Sequence, residues 1–202
     1  MKNVLFIHGL GGSGDTLMGE ALDSLNDLKF TFHHPDFSSR PKKALQEVNE
    51  YIEKHHIDVV IGMSVGGFYA LQSDCPRGVL INPTLTPRKD IEPAFGYGTF
   101  YCADGFTTFT LDSSFYDELD QIILENDPNA DLDHWYETLG KKKRFAGIFG
   151  GEDDICRHYE DFRKINDRLL VLLGDMGHSF DLRYLKVLNL FVKEVAQCKI
   201  PS

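Results

Sequence analysis

The sequence predicts a doubly wound α/β domain with a mainly parallel sheet of six or seven strands and helices on both faces. Two observations carry this. Short apolar runs alternate with longer amphipathic stretches along most of the chain. The runs are continuous and lack strict every-second-residue alternation, the pattern of strands buried on both faces. Size agrees: 202 residues, 42% hydrophobic and 26% charged, suit one globular domain over residues 1–202 and exclude a disordered chain.

The strand candidates in order are Asn3–His8, Lys29–His33, Val59–Gly62, Gly78–Asn82, Phe145–Phe149 and Leu169–Leu173. Between them lie helix candidates. Asp15–Leu25 follows a glycine-rich loop. Pro41–His55 follows Ser38 and Ser39 and carries Ala44, Leu45, Val48, Tyr51 and Ile52 on one face. Gly66–Ser73 follows a tight turn. Arg157–Asn166 and Asp181–Gln197 complete the set, the last with Leu182, Leu185, Leu188, Val192 and Val195 near helical spacing. Strand–helix alternation of this kind is the signature of a doubly wound domain.

The alternation fails from about Thr84 to Gly140. This stretch is rich in aromatics, among them Phe95, Tyr97, Phe100, Phe109, Phe115 and Trp135, and holds helix candidates at Ser114–Glu125 and Asp131–Leu139. It is expected to be a lid-like insert over the site or a packed excursion.

Charge and composition narrow the function. Lys and Arg number 21 against 31 Asp and Glu, a net charge of −10 that repels a phosphate backbone and argues against nucleic acid. The basic run Lys141–Arg144 reads as a solvated helix end or loop. No apolar run is long enough to span a bilayer, and the start of the chain lacks the apolar stretch and cleavage site of a signal peptide. The expectation is a cytoplasmic protein without a membrane partner and with free thiols at Cys75, Cys102, Cys156 and Cys198.

The loop His8-Gly9-Leu10-Gly11-Gly12-Ser13-Gly14 follows the first strand. Gly9, Gly11 and Gly14 have dinucleotide-loop spacing, with Asp36 about where a ribose-binding acid would stand. A phosphate-loop frame fails because Asp15 replaces its lysine. In a third reading, backbone N–H groups after the strand face a developing oxyanion. The loop alone does not choose.

Gly62-Met63-Ser64-Val65-Gly66 chooses. It is G-x-S-x-G between an apolar strand and a helix, the context in which a sharp turn pushes a serine hydroxyl into the open. A nucleophilic serine needs a base, and the base an orienting acid. His178, in the loop after the last strand, is the base candidate. Gly150-Gly151-Glu152-Asp153-Asp154 follows the preceding strand; Asp153 is the first choice for the acid and Asp154, which could cap the next helix, the second. Leu10 and Val65 are the expected oxyanion N–H donors. The order Ser64, Asp153, His178 is that of the α/β-hydrolase fold.

On the segments Leu5–Gly9, Gly62–Phe68, Ile81-Asn82-Pro83, Gly151–Asp154 and Gly177–Phe180, the chain resembles the small α/β-hydrolases of the YqiA/UPF0227 esterase type. The resemblance implies hydrolysis of a small carboxylic ester or acyl thioester without a cofactor, with Ser64 as nucleophile, Asp153 as acid and His178 as base. The loop after Gly9 departs from that pattern.

Other residues read as structural. His33-His34 and His55-His56 lack metal-ligand spacing, and His55-His56 suits a helix end. Asp131, Asp133, His134 and Glu137 read as an acidic helix start. Asp154, His158 and Asp161 read as a surface face, Cys156 as no nucleophile, and Asn82-Pro83 as a strand-ending turn that could shape the substrate wall. Two rival functions stand beside the hydrolase: a dinucleotide-binding oxidoreductase using the Gly9–Gly14 loop, and a hydrolase-like binding protein with an idle triad.

Overall fold

A computed structural model describes residues 1–14, 17–25, 29–126, 143–165 and 171–199. The elements in order are β1 (Lys2–Ile7), α1 (Leu17–Ser24), β2 (Phe30–His33), α2 (Pro41–His55), β3 (Ile57–Met63), α3 (Val65–Gln72), β4 (Arg77–Ile81), α4 (Pro87–Phe95), β5 (Gly98–Tyr101), β6 (Thr108–Leu111), α5 (Ser113–Asn126), β7 (Arg144–Gly150), α6 (Tyr159–Ile165), β8 (Val171–Gly174), a 3₁₀ turn (Leu182–Tyr184) and α7 (Leu185–Gln197).

Six strands form one sheet in the order β2-β1-β3-β4-β7-β8, every neighbouring pair parallel. Ile7, Gly62, Leu80, Gly147 and Val171 stand in register across five of them. Counted within this sheet, the order is 2-1-3-4-5-6, which differs from the 3-2-1-4-5-6 of dinucleotide-binding domains. The chain reverses its direction of winding between β1 and β3. Loops leaving the carboxyl ends of the strands there face a crevice.

The continuous apolar runs are explained by burial on both faces. Leu5, Ile7, Val60, Leu80, Phe145 and Phe149 pack with α2, α3, α5 and Phe162 of α6. Their neighbours Val4, Phe6, Val59, Ile61, Val79, Ala146 and Ile148 point the other way, onto Met18 and Leu22 of α1 and Leu188, Phe191, Val192 and Val195 of α7. Helix α2 buries Pro41, Ala44, Val48 and Ile52, a face spaced by three and four residues. Pro41 opens it where a missing N–H costs nothing. His56 closes it in the left-handed conformation, φ 50°.

Several expectations shift. The stretch after Thr84 contains α4 and the antiparallel hairpin β5–β6, neither of them among the elements expected there. The hairpin forms its own two-stranded sheet, so the main sheet keeps six strands. Its signal was present: Thr108-Phe-Thr-Leu alternates exposed and buried residues, and Phe100 stacks on Phe109 across the pair. Of the basic run Lys141–Arg144, Lys141 and Lys142 lie outside the described residues; the half-buried Lys143 is tied down, its ammonium donating to the carbonyls of Leu71 and Ser73 at the end of α3. The helix candidate Asp131–Leu139, and with it Asp131, Asp133, His134 and Glu137, lies outside the described residues. No helix among the described residues is long and apolar enough to cross a membrane.

Candidate active site

Strand β3 ends at Met63, and α3 begins at Val65, so Ser64 alone makes the turn. It does so at φ 54°, ψ −123°, a conformation costly for any residue with a side chain. The surroundings hold it there. Ser64 N–H donates to Ile81 O (3.0 Å), and Ser64 O accepts from Gly67 (2.9 Å) and Thr84 (3.0 Å). Two glycines make the turn possible. A Cβ at Gly66 would stand 2.2 Å from Ile7 O, and one at Gly62 2.5 Å from Gly66 O. Such contacts are far inside van der Waals distance, so the bracketing glycines follow from close packing of turn and sheet.

Loops from β7 and β8 bring the other two groups to this turn. His178 Nε2 lies 2.9 Å from Ser64 Oγ. Its Nδ1 lies 3.1 and 3.0 Å from the two carboxylate oxygens of Asp153. A carboxylate only accepts, so Nδ1 carries the proton and Nε2 is left to accept from the serine hydroxyl. Asp153 is 1% exposed. Burial pushes its pKa up, but the bond to His178 and the N–H groups of Cys156 and Ile155 outweigh that and hold it below the ordinary carboxylate value.

Asp154, the alternative acid, is exposed. The helix-capping role considered for it does not arise, because α6 starts later, at Tyr159. Asp153 itself accepts the N–H groups of Ile155 (2.8 Å) and Cys156 (2.9 Å). One carboxylate therefore ties its own loop and meets the imidazole.

Gly9 stands beside Ser64: a Cβ there would lie 3.2 Å from Ser64 Cβ. Gly12 N–H folds back to Gly9 O (3.0 Å), placing Leu10 in a tight turn. Val65 opens α3, so its N–H belongs to the first helical turn, whose donors have no partner within the helix. Leu10 and Val65 both line a cavity, with Phe37, Tyr69 and, from the hairpin and its loop, Cys102 and Phe109 among its walls. Ala103 N–H, in the hairpin's loop, donates to Gly11 O (2.8 Å).

The glycine loop is not laid out for a pyrophosphate. Asp36 Oδ1 accepts Gly14 N–H at 2.6 Å, so a carboxylate stands where a phosphate oxygen would be needed. The paired histidines also have structural partners: His33 meets Tyr51 (3.1 Å), and His34 meets Asp23 (3.2 Å).

His158, on a surface face by its sequence spacing, is buried. Its Nε2 lies 2.8 Å from Asp90 Oδ2 on α4. Burial pulls the imidazole pKa down, but the bond and charge of Asp90, then Asp161, raise it above the ordinary value. Beside it, Thr84 Oγ1 and Cys156 Sγ are 3.2 Å apart. Burial pushes the Cys156 thiol up to about 12, so it is no thiolate nucleophile. The partner that buries His158 lies 68 residues away in the chain, which no local pattern reveals.

Sheet order and the strained serine turn between strand and helix define an α/β hydrolase. The profile of the Alpha/beta hydrolase family matches residues 4–189, and the chain belongs to that family. Solved structures agree on the fold. Est1E from Butyrivibrio proteoclasticus superposes with a TM-score of 0.64 at 15% identity, over 96% of this chain and 86% of that one. A monoacylglycerol lipase from Paleococcus ferrophilus gives 0.62 at 14%, over 96% and 93%. An uncharacterized protein from Bacillus cereus ATCC 10987 gives 0.60 at 13%, over 96% of this chain; the chain spans 60% of that protein's length. No curated protein matches the chain in sequence.

Proposed function

We propose that the protein is a serine hydrolase that cleaves small carboxylic esters through an acyl-enzyme, a cytoplasmic enzyme of the YqiA/UPF0227 esterase type. The observation that carries this reading is the unbroken relay from Ser64 Oγ through His178 to Asp153.

The chemistry follows from the geometry. Ser64 Oγ attacks the acyl carbonyl while His178 Nε2 takes its proton. Asp153 keeps the Nδ1 proton in place and stabilises the imidazolium. The N–H groups of Leu10 and Val65 receive the oxyanion, each worth about 3 kcal/mol. The protonated His178 then gives its proton to the leaving oxygen, which departs with the C–O bond pair. Water, deprotonated by the same imidazole, attacks the acyl-Ser64 and releases the acid.

The cavity beside the oxyanion loop favours esters over thioesters of polyanionic thiols. Its described lining includes Asp36 and Asp104 and neither Lys nor Arg. Asp104 is held below the ordinary carboxylate value by Thr107 and two backbone N–H groups, so it is anionic at neutral pH. A phosphate-rich leaving group would meet like charge there.

The test is labelling with a fluorophosphonate and turnover of p-nitrophenyl esters over a range of acyl lengths. Labelling of wild type that is lost in Ser64→Ala, with ester turnover in parallel, is expected. Folded wild type that does not label would point instead to a binding protein with an idle relay. A large rise in melting temperature with NAD(P) would favour the dinucleotide reading.

A further inference from the structure

The sequence offers Asn82 as a strand-ending residue near the substrate. The structure turns its side chain elsewhere. Asn82 is fully buried, and its carboxamide reaches two loops. Nδ2 donates to the carbonyls of Gly177 (2.9 Å) and His178 (2.7 Å). Oδ1 accepts the N–H of Gly150 (2.7 Å). Carbonyls only accept and an N–H only donates, so the orientation of the amide is set by its partners. Gly150 is the root of the loop that carries Asp153, and His178 is the residue that meets Ser64.

The main chain of the same segment holds the nucleophile. Ile81 O accepts from Ser64 N–H, Thr84 N–H donates to Ser64 O, and Asn82 N–H donates to Ile148 O (3.0 Å). Ile81–Thr84 therefore touches all three loops of the relay, and Asn82 is the side chain that joins two of them.

The residue type is narrowly specified. Asn82 sits at φ 42°, a region that Gly, Asn and Asp tolerate. Glycine has no side chain to reach the loops. Aspartate would aim lone pairs at two carbonyl oxygens. Asparagine combines the backbone tolerance with two donors and an acceptor on one short stem.

We propose that Asn82 is a positioning residue for the proposed hydrolytic relay: it sets the His178 loop against the Asp153 loop, and through that the reach of Nε2 to Ser64. It touches no reacting atom. The activity readout rests on the serine-hydrolase reading; the spectroscopic readout does not.

The experiment compares wild type with Asn82→Asp, near in size but lacking the two donors, and Asn82→Ala. Active sites are counted by fluorophosphonate labelling to completion, and p-nitrophenyl ester turnover is expressed per labelled site. The expected result is a per-site kcat lower by on the order of 10- to 100-fold in both variants, with KM within about threefold. Wild type should show the downfield proton resonance of the His178–Asp153 hydrogen bond, and it should move or vanish in both variants. A residue that only supports folding would reduce the number of labelled sites and leave per-site kcat and the resonance as in wild type; that outcome overturns the proposal. Should Asn82→Ala not fold, Asn82→Asp and Asn82→Ser make the same comparison. If wild type neither labels nor turns over esters, the hydrolase reading fails and the resonance still decides: unchanged in Asn82→Asp, it overturns the positioning role.

Discussion

The hydroxyl of Ser64 lies 2.9 Å from Nε2 of His178, across 114 residues of sequence. The pair forms because β3 and β8 end at the same edge of one parallel sheet. On the proposed mechanism, removing either member leaves no activated nucleophile. Ser64→Ala and His178→Ala should each lower ester kcat/KM by at least about 10³-fold while the far-ultraviolet circular dichroism stays as in wild type. Labelling by a fluorophosphonate should vanish in Ser64→Ala.

The two adjacent acids should behave differently. Asp153 is buried against His178, whereas Asp154 is exposed. Asp153→Asn would favour the wrong imidazole tautomer, so kcat should fall by about 10²- to 10⁴-fold. Asp154→Asn should stay within about threefold of wild type. Steady-state kinetics on one p-nitrophenyl ester checks both, and the reverse pattern would reassign the acid.

The nucleophile turn should not tolerate a methyl group. A Cβ at Gly66 would lie 2.2 Å from a backbone oxygen of β1, which cannot yield as a side-chain end can. Gly66→Ala should cost about 3 kcal/mol. For a domain of this size that lowers Tm by about 6–12 °C, measurable by scanning calorimetry. Activity should fall with it, since the same contact places Ser64.

The His158–Asp90 pair ties α4 of the insert to the segment that follows the acid loop. Its histidine pKa is raised in the folded protein by Asp90 and Asp161, against the downward pull of burial, which is the larger single influence. A raised histidine pKa contributes stability that is fully present below the unfolded value of about 6.5 and is lost as pH rises through the folded value. The Tm gap between wild type and His158→Gln should therefore be wider near about pH 6 than near about pH 9. A gap that grows with pH would contradict the assignment.

Asn82 and His158 show where sequence reading stops. Local pattern gives each only a local role, a turn for Asn82 and a surface face for His158. Their partners, Gly150 and His178 for the first and Asp90 for the second, come from segments distant in the chain. Hydrogen bonds of that range have no period and no spacing to read.

The sheet and the turn are legible in the residues alone. Apolar runs without alternation mean strands covered on both sides, because an exposed face would need polar residues at every second position. G-x-S-x-G between strand and helix means a serine on a strained turn, because only glycines leave room for that backbone. The rest came from tertiary packing. It placed the Asp153 carboxylate 3.0 Å from His178 and left that of Asp154 exposed. It folded Gly98–Leu111 into a hairpin whose loop bonds to Gly11. It turned Asn82 inward, to two loops that only the assembled sheet brings within reach of one side chain. Periodicity records which face of an element is buried; which groups meet there depends on how the elements pack.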